Sequence, residues 1–127
     1  MKHLTFLAAA ALTTAAFAAH ATADDDDLSW TRLGRTVTVG GPRVTPLRVL
    51  QDSRCPMEAR CVRAGEVRLR VRITTGRRST VRDMVSGQPV QVADGTLELA
   101  SVMPATSVQR PIRSSDYRFG FRFSGGI

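Results

Sequence analysis

Cys55 and Cys61 are the only thiols in a chain of 127 residues, with Pro56-Met57-Glu58-Ala59-Arg60 between them. The first chemistry open to such a pair is closure into one small disulfide ring, which constrains the unfolded chain by roughly 2 kcal/mol in the loop-entropy model. A ring of this kind staples a strand-to-strand connection. The second is presentation: a stiff loop with Arg54, Met57, Glu58 and Arg60 on its surface binds a partner, or enters a protease cleft, at little ordering cost. The third is a soft-metal site made of reduced thiols beside Asp52 and Glu58. Two thiols with no histidine make a poor site of that type, so no metal is expected.

Catalytic side chains are scarce. His3, His20 and Lys2 are the only histidines and the only lysine, and all three lie in the first 23 residues. Met1-Lys2-His3 is a positive start, Leu4 to Ala19 is an uncharged, mostly apolar run, and Ala21-Thr22-Ala23 is a small-residue cleavage pattern. Residues 1–23 are therefore expected to be a signal peptide. The run is rich in alanine and falls short of the roughly 20 strongly apolar residues that span a bilayer, so no transmembrane anchor is expected in the mature form. No cysteine adjoins the cleavage site for acylation. The expected location is periplasmic or extracellular, an oxidising compartment in which Cys55 and Cys61 pair.

Loss of that leader leaves no histidine and no lysine. Ser-His-Asp and Cys-His nucleophile systems, histidine-ligated zinc and lysine Schiff bases are excluded, and no cofactor is expected. Acid/base work would fall to Tyr117 or to the carboxylates beyond Asp24–Asp27, namely Asp52, Glu58, Glu66, Asp83, Asp94, Glu98 and Asp116. A carboxylate-dependent hydrolase needs two of them about 5 to 9 Å apart. No spacing singles out such a pair, so a non-catalytic protein is expected.

The elements that position these groups read as strands. Period two runs through the chain, and no 3.6-residue pattern is sustained. Val67, Leu69, Val71 and Ile73 alternate with Arg68, Arg70, Arg72 and Thr74, the pattern of a sheet with one buried face. Val37 and Val39 lie in a short strand before the Gly40-Gly41-Pro42 turn. Arg43–Gln51 is a strand that Pro46 marks as an edge or a bulge. Ser79–Ser86 is a further strand, with Val81, Asp83 and Val85 on one face. The Asp94-Gly95 pair signals a hairpin between Val90–Val92 and Thr96–Met103. Pro104 to Arg113 reads as a polar loop, and Tyr117, Phe119, Phe121 and Phe123 form the aromatic face of the last strand. The expected fold is all-β: one small antiparallel sandwich or barrel of six or seven strands with one disulfide. It spans residues 32–127 and follows a disordered acidic tail over residues 24–31.

Lys and Arg number 18 against 11 acids, for a formal net charge of +7, and all but one of the 18 are arginine. Alternation places Arg68, Arg70 and Arg72 on one outward face, and Arg118 and Arg122 on the outward face of the last strand. If these strands are neighbours, five guanidinium groups share one patch. Such a patch binds phosphate, sulfate or carboxylate groups bidentately, and the net field draws polyanions such as lipid head groups or acidic glycans of the envelope. An envelope protein is the alternative partner, held by the bridged loop. Nucleic acid is a poor candidate, because export removes the protein from it and no aromatics interleave with the exposed arginines.

The stretch Asp52-Ser53-Arg54-Cys55-Pro56, followed by Cys61-Val62-Arg63-Ala64-Gly65, resembles a family of small exported bacterial proteins with a D-S-R-C-P-x4-C-V-x-A-G core. Arg43–Leu47, the Val67–Arg72 strand and Asp116–Phe121 look similar too, so the resemblance covers nearly all of the mature chain. Arg63 departs from the pattern, which has tryptophan there. The resemblance implies export and the disulfide, and it implies no activity.

Overall fold

The computed structural model describes residues 27–125 together with Ala10. The expected signal peptide and Asp24–Asp26 otherwise lie outside the described residues. Among the described residues eight strands follow one another: β1 (Ser29–Thr31), β2 (Val37–Thr38), β3 (Arg43–Asp52), β4 (Val67–Thr75), β5 (Arg78–Val85), β6 (Val90–Val92), β7 (Gly95–Met103) and β8 (Arg118–Gly125). A 3₁₀ turn, Ser114–Asp116, precedes β8. The strands form two four-stranded sheets, β1-β8-β7-β6 and β2-β3-β4-β5. All neighbours are antiparallel.

The alternation of β4 is realised as written: Val67, Leu69 and Val71 are fully buried and Ile73 nearly so, while Arg68, Arg70 and Arg72 are exposed. Phe119, Phe121, Leu97 and Leu99 of the opposite sheet are also fully buried, and all of these residues belong to one core. Tyr117 stacks on Phe119, with ring centroids 5.7 Å apart. Both sheets thus turn one face inward, and the aromatic segment near the C-terminus fills the space between them.

Three expectations are corrected. The acidic tail does not extend to residue 31, because Ser29–Thr31 pairs with β8 through Ser29↔Phe121, Trp30↔Gly120 and Thr31↔Phe119. Three residues are too few to show period two, and the pairing is fixed from the β8 side. Second, the Asp94-Gly95 hairpin exists, but Ala93 and Asp94 form its turn, Ala93 taking the positive φ of 51° while Gly95 pairs with Val92. A Cβ at Gly95 would lie 2.7 Å from Gly125 Cα and 2.5 Å from the Ser124 carbonyl oxygen. Glycine is therefore demanded here by the close approach of β7 and β8 rather than by a turn conformation. Third, β4 and β8 are not neighbours; they lie in different sheets.

Pro46 marks a bulge. The register of β3 against β4 shifts between Pro46 and Arg48 and again between Val49 and Gln51. Each extra residue inverts the facing of everything beyond it. Val44 and Pro46 point inward, yet Arg48 pairs with Arg70 and is exposed. After the second shift Asp52 pairs with Val67, whose side chain is buried, and so turns to the inner side at the end of the sandwich.

Replacing Gly95 with Ala is expected to lower the unfolding free energy by about 1–3 kcal/mol through overpacking, read as a lower midpoint in urea with an unchanged slope. A neutral outcome would show that β7 and β8 approach less closely than described.

Candidate functional site

Two constellations bring the chemically capable residues together. The first is a polar clasp at the end of the sandwich. Arg54 Nε donates to Asp52 Oδ1 at 2.9 Å and Nη2 donates to Oδ2 at 2.8 Å, a bidentate pair. The Tyr117 hydroxyl donates to the same Oδ2 at 2.9 Å, and Arg54 Nη1 donates to the Val102 carbonyl at 2.8 Å. The side chains of Arg54 and Asp52 are only 18% and 11% exposed. Asp52 belongs to β3, whereas Val102 lies in β7 and Tyr117 precedes β8, so the clasp joins the two sheets.

Electrostatics follow from this geometry. Burial raises the Asp52 pKa, but the hydrogen bonds from Arg54 and Tyr117 and the Arg54 charge outweigh it, and the carboxyl sits below its ordinary 3.8. Burial, together with the bond to Asp52 and its charge, pushes the Tyr117 phenol up to about 12. The result is a carboxylate held ionised and a phenol held neutral.

The bridged loop is built onto the clasp. Cys55 and Cys61 form the expected disulfide, with Cα atoms 5.9 Å apart, which removes the thiol metal site. Ser53 N–H donates to the Glu66 carbonyl at 2.8 Å and Cys55 N–H to the Ala64 carbonyl at 3.0 Å. Gly65 has φ +72°, and a Cβ there would collide with the Ser53 carbonyl, so only glycine closes the base of the loop. Met57 N–H donates to the Thr106 carbonyl at 2.9 Å. Glu58 accepts from the Ser107 hydroxyl and from Val108 N–H at 3.1 Å, and these bonds lower its pKa.

Of the four residues expected to present a partner surface, Arg54 is turned inward and Glu58 is engaged by the 107–108 backbone and hydroxyl. Met57, 69% exposed, and Arg60 remain at the rim. A scaffold role for Asp52, Ser53, Arg54 and Gly65 follows from these contacts.

The second constellation is basic. Arg68, Arg70 and Arg72 share the outer face of β2-β3-β4-β5 with Arg43 and Arg48, all five exposed. Arg48 is directly opposite Arg70, Arg43 opposite Thr74 and Thr45 opposite Arg72. Arg70 Nε donates to Asp83 Oδ1 at 2.9 Å, which holds the Asp83 carboxyl below its usual range, and Arg68 reaches Glu66 at 3.5 Å. The ion pairs among the described residues leave out Arg43, Arg48 and Arg72.

Arg118 and Arg122 lie on the other sheet and face away from this patch, so the five-arginine patch joining β4 to β8 is corrected. Arg122 is spent in part on Glu98, 3.8 Å away. Arg118 borders a cleft of about 500 Å³ with Trp30, Met103, Pro104 and Asp116, where the Trp30 ring lies over Gly120.

Sequence reasoning missed Arg48, because plain alternation from Val44 would bury it; only counting the Pro46 bulge brings it out. It missed Arg43, although Arg43 precedes the inward Val44. Trp30 was hidden in the expected tail. Among the described residues no group of histidines, cysteines and acids has the composition of a metal site, and no helix is long and apolar enough to cross a membrane. No protein family, curated protein or solved structure matches the chain.

The chain has a single tyrosine, so its phenolate absorbance should titrate with a midpoint near 12 rather than 10, and Asp52→Asn should bring that midpoint down. The depressed Asp52 pKa contributes stability that is full above the unfolded value of 3.8 and is lost as pH falls through the lower folded value. The raised phenol works at the other limb: its contribution is full below pH 10 and fades as pH rises through about 12. Arg54→Ala should cost about 3 kcal/mol, more than about 10 °C in Tm, whereas Arg60→Ala should leave Tm unchanged. Equal melting of the two variants would contradict the clasp.

Proposed function

We propose that the protein is an exported, non-catalytic β-sandwich that binds anionic polymers or lipid head groups of the cell envelope through the outer face of β3 and β4. The observation that carries this reading is the row of arginines outside the ion pairs, Arg43, Arg48 and Arg72, on one face with Arg70, whose charge Asp83 already offsets. Like charges close together on neighbouring strands are destabilising, and Arg48 lies directly opposite Arg70 while Arg43 and Arg72 stand on the same face. Such repulsion is relieved when sulfate, phosphate or carboxylate groups lie between the guanidinium groups.

Export is supported by the leader sequence, by the disulfide and by the resemblance of residues 52–65 to an exported family. A binding role rather than catalysis is supported by the carboxylates themselves. Asp52, Glu58 and Asp83 are all held below their ordinary pKa, the opposite of what a general acid needs. A second reading, a protein-binding module, is favoured by the anchoring of the bridged loop, which fixes Met57 and Arg60 at its rim before any partner arrives.

Retention of the mature protein on immobilised heparin across a salt series tests the first reading. Arg43→Ser/Arg48→Ser/Arg72→Ser should elute at lower salt, with the slope of log affinity against log salt shallower by about one per arginine removed. Arg118→Ser/Arg122→Ser, on the opposite sheet, should elute close to wild type. Retention indifferent to salt, or equal loss in both variants, would falsify the assignment to this face.

A further inference from the structure

One long strand edge of the sandwich is open. β5 pairs with β4 over its whole length without a register shift and ends its sheet, with no strand on the other side among the described residues. Its first six residues, Arg78 to Asp83, are exposed. Just past the strand, Ser86 N–H donates to the Val67 carbonyl at 2.9 Å, which makes Val67 and Ser86 a bonded pair. Bonded and non-bonded pairs alternate along an antiparallel ladder. Counting back, Met84, Arg82, Thr80 and Arg78 bond to β4. The backbone N–H and C=O groups of Ser79, Val81, Asp83 and Val85 therefore point to the open side.

Charge decides what such an edge accepts. Arg78, Thr80 and Arg82 stand on one face of β5 and, with Gln91 and Val92, line a groove of about 150 Å³ beside β6. The opposite face carries Asp83, whose carboxylate is already held by Arg70. Arg78 and Arg82 take no part in the ion pairs among the described residues, so the free charge along the edge is positive. Charged residues on an edge normally discourage pairing. Here they discourage a second copy of the chain, which brings the same two arginines and a net positive charge, and they complement an acidic strand.

We infer that β5 is a strand-addition site for an extended acidic segment of a partner protein. The segment would lie as a fifth strand on β2-β3-β4-β5, bonded to the outward groups of Ser79, Val81 and Asp83. Carboxylates four residues apart on one of its faces would meet Arg78 and Arg82. Main-chain bonds supply affinity in this mode, and side chains at alternate positions supply selectivity. The inference is independent of the arginine face proposed above.

The test is fluorescence anisotropy with a labelled synthetic peptide as long as β5, alternating Glu with Val and Thr, titrated with the mature protein. A matching peptide with Lys in place of Glu is the control. Saturable binding of the Glu peptide and none of the Lys peptide is expected. Val81→Pro removes an outward N–H without removing a bond to β4, and should weaken binding by at least about tenfold while leaving heparin retention intact. Arg78→Glu/Arg82→Glu should reverse the preference between the peptides, and it decides the matter if the proline variant fails to fold. Absence of saturable binding, equal binding by Val81→Pro and wild type, or a dimer that Val81→Pro dissociates would each overturn the inference.

Discussion

The bidentate contact between Asp52 and Arg54 is the joint on which this sandwich closes. Core packing between the sheets is apolar and non-directional, so it sets their distance better than their relative position. The clasp adds direction. Asp52 extends from the end of β3, Tyr117 reaches it from the start of β8, and Arg54 ties both to the backbone of β7. Every hydrogen-bonding demand of the pair is met within the fold, and no buried side-chain polar atom among the described residues lacks a partner. That satisfaction is what makes a shielded ion pair tolerable, because an incomplete one would cost more than an apolar replacement.

The clasp also explains why the bridged loop has a fixed place. Closing a ring between Cys55 and Cys61 orders only the ring itself. Its position on the domain comes from Ser53 and Cys55 pairing with Glu66 and Ala64, and from Glu58 and Met57 reaching the 106–108 segment. Much of the chemistry suggested by residues 52–61 is thus consumed in holding two long connections together. The groups proposed for recognition lie elsewhere, on the arginine face, at the rim of the ring and along the edge of β5.

Legibility in the sequence divided along a physical line. Local alternation carried β4 and the aromatic strand, since each residue's facing depends only on its neighbour. Cysteine count and spacing carried the disulfide. Pairing between distant segments was not legible, because nothing local says that β8 lies between β1 and β7. For that reason Arg118 and Arg122 were grouped with arginines that face the opposite way. The facing of Arg48 depended on a one-residue register shift whose visible sign is Pro46, and a second shift, without such a sign, restores the original parity at Asp52. The clasp partner Tyr117 lies 65 residues from Asp52, beyond the reach of any spacing rule.

Those two shifts in β3 have a consequence for how this chain can diverge. Deletion of Leu47 would leave Pro46 and Arg48 as consecutive residues opposite Val71 and Arg70, a regular ladder with the guanidinium still outward. Deletion of Leu50 would likewise set Val49, Gln51 and Asp52 in regular alternation opposite Leu69, Arg68 and Val67, with the carboxylate still on the inner side. Leu47 and Leu50 are therefore the two positions of β3 at which the strand can shorten by one residue and keep every facing, whereas a gap at a paired position would invert the stretch beyond it.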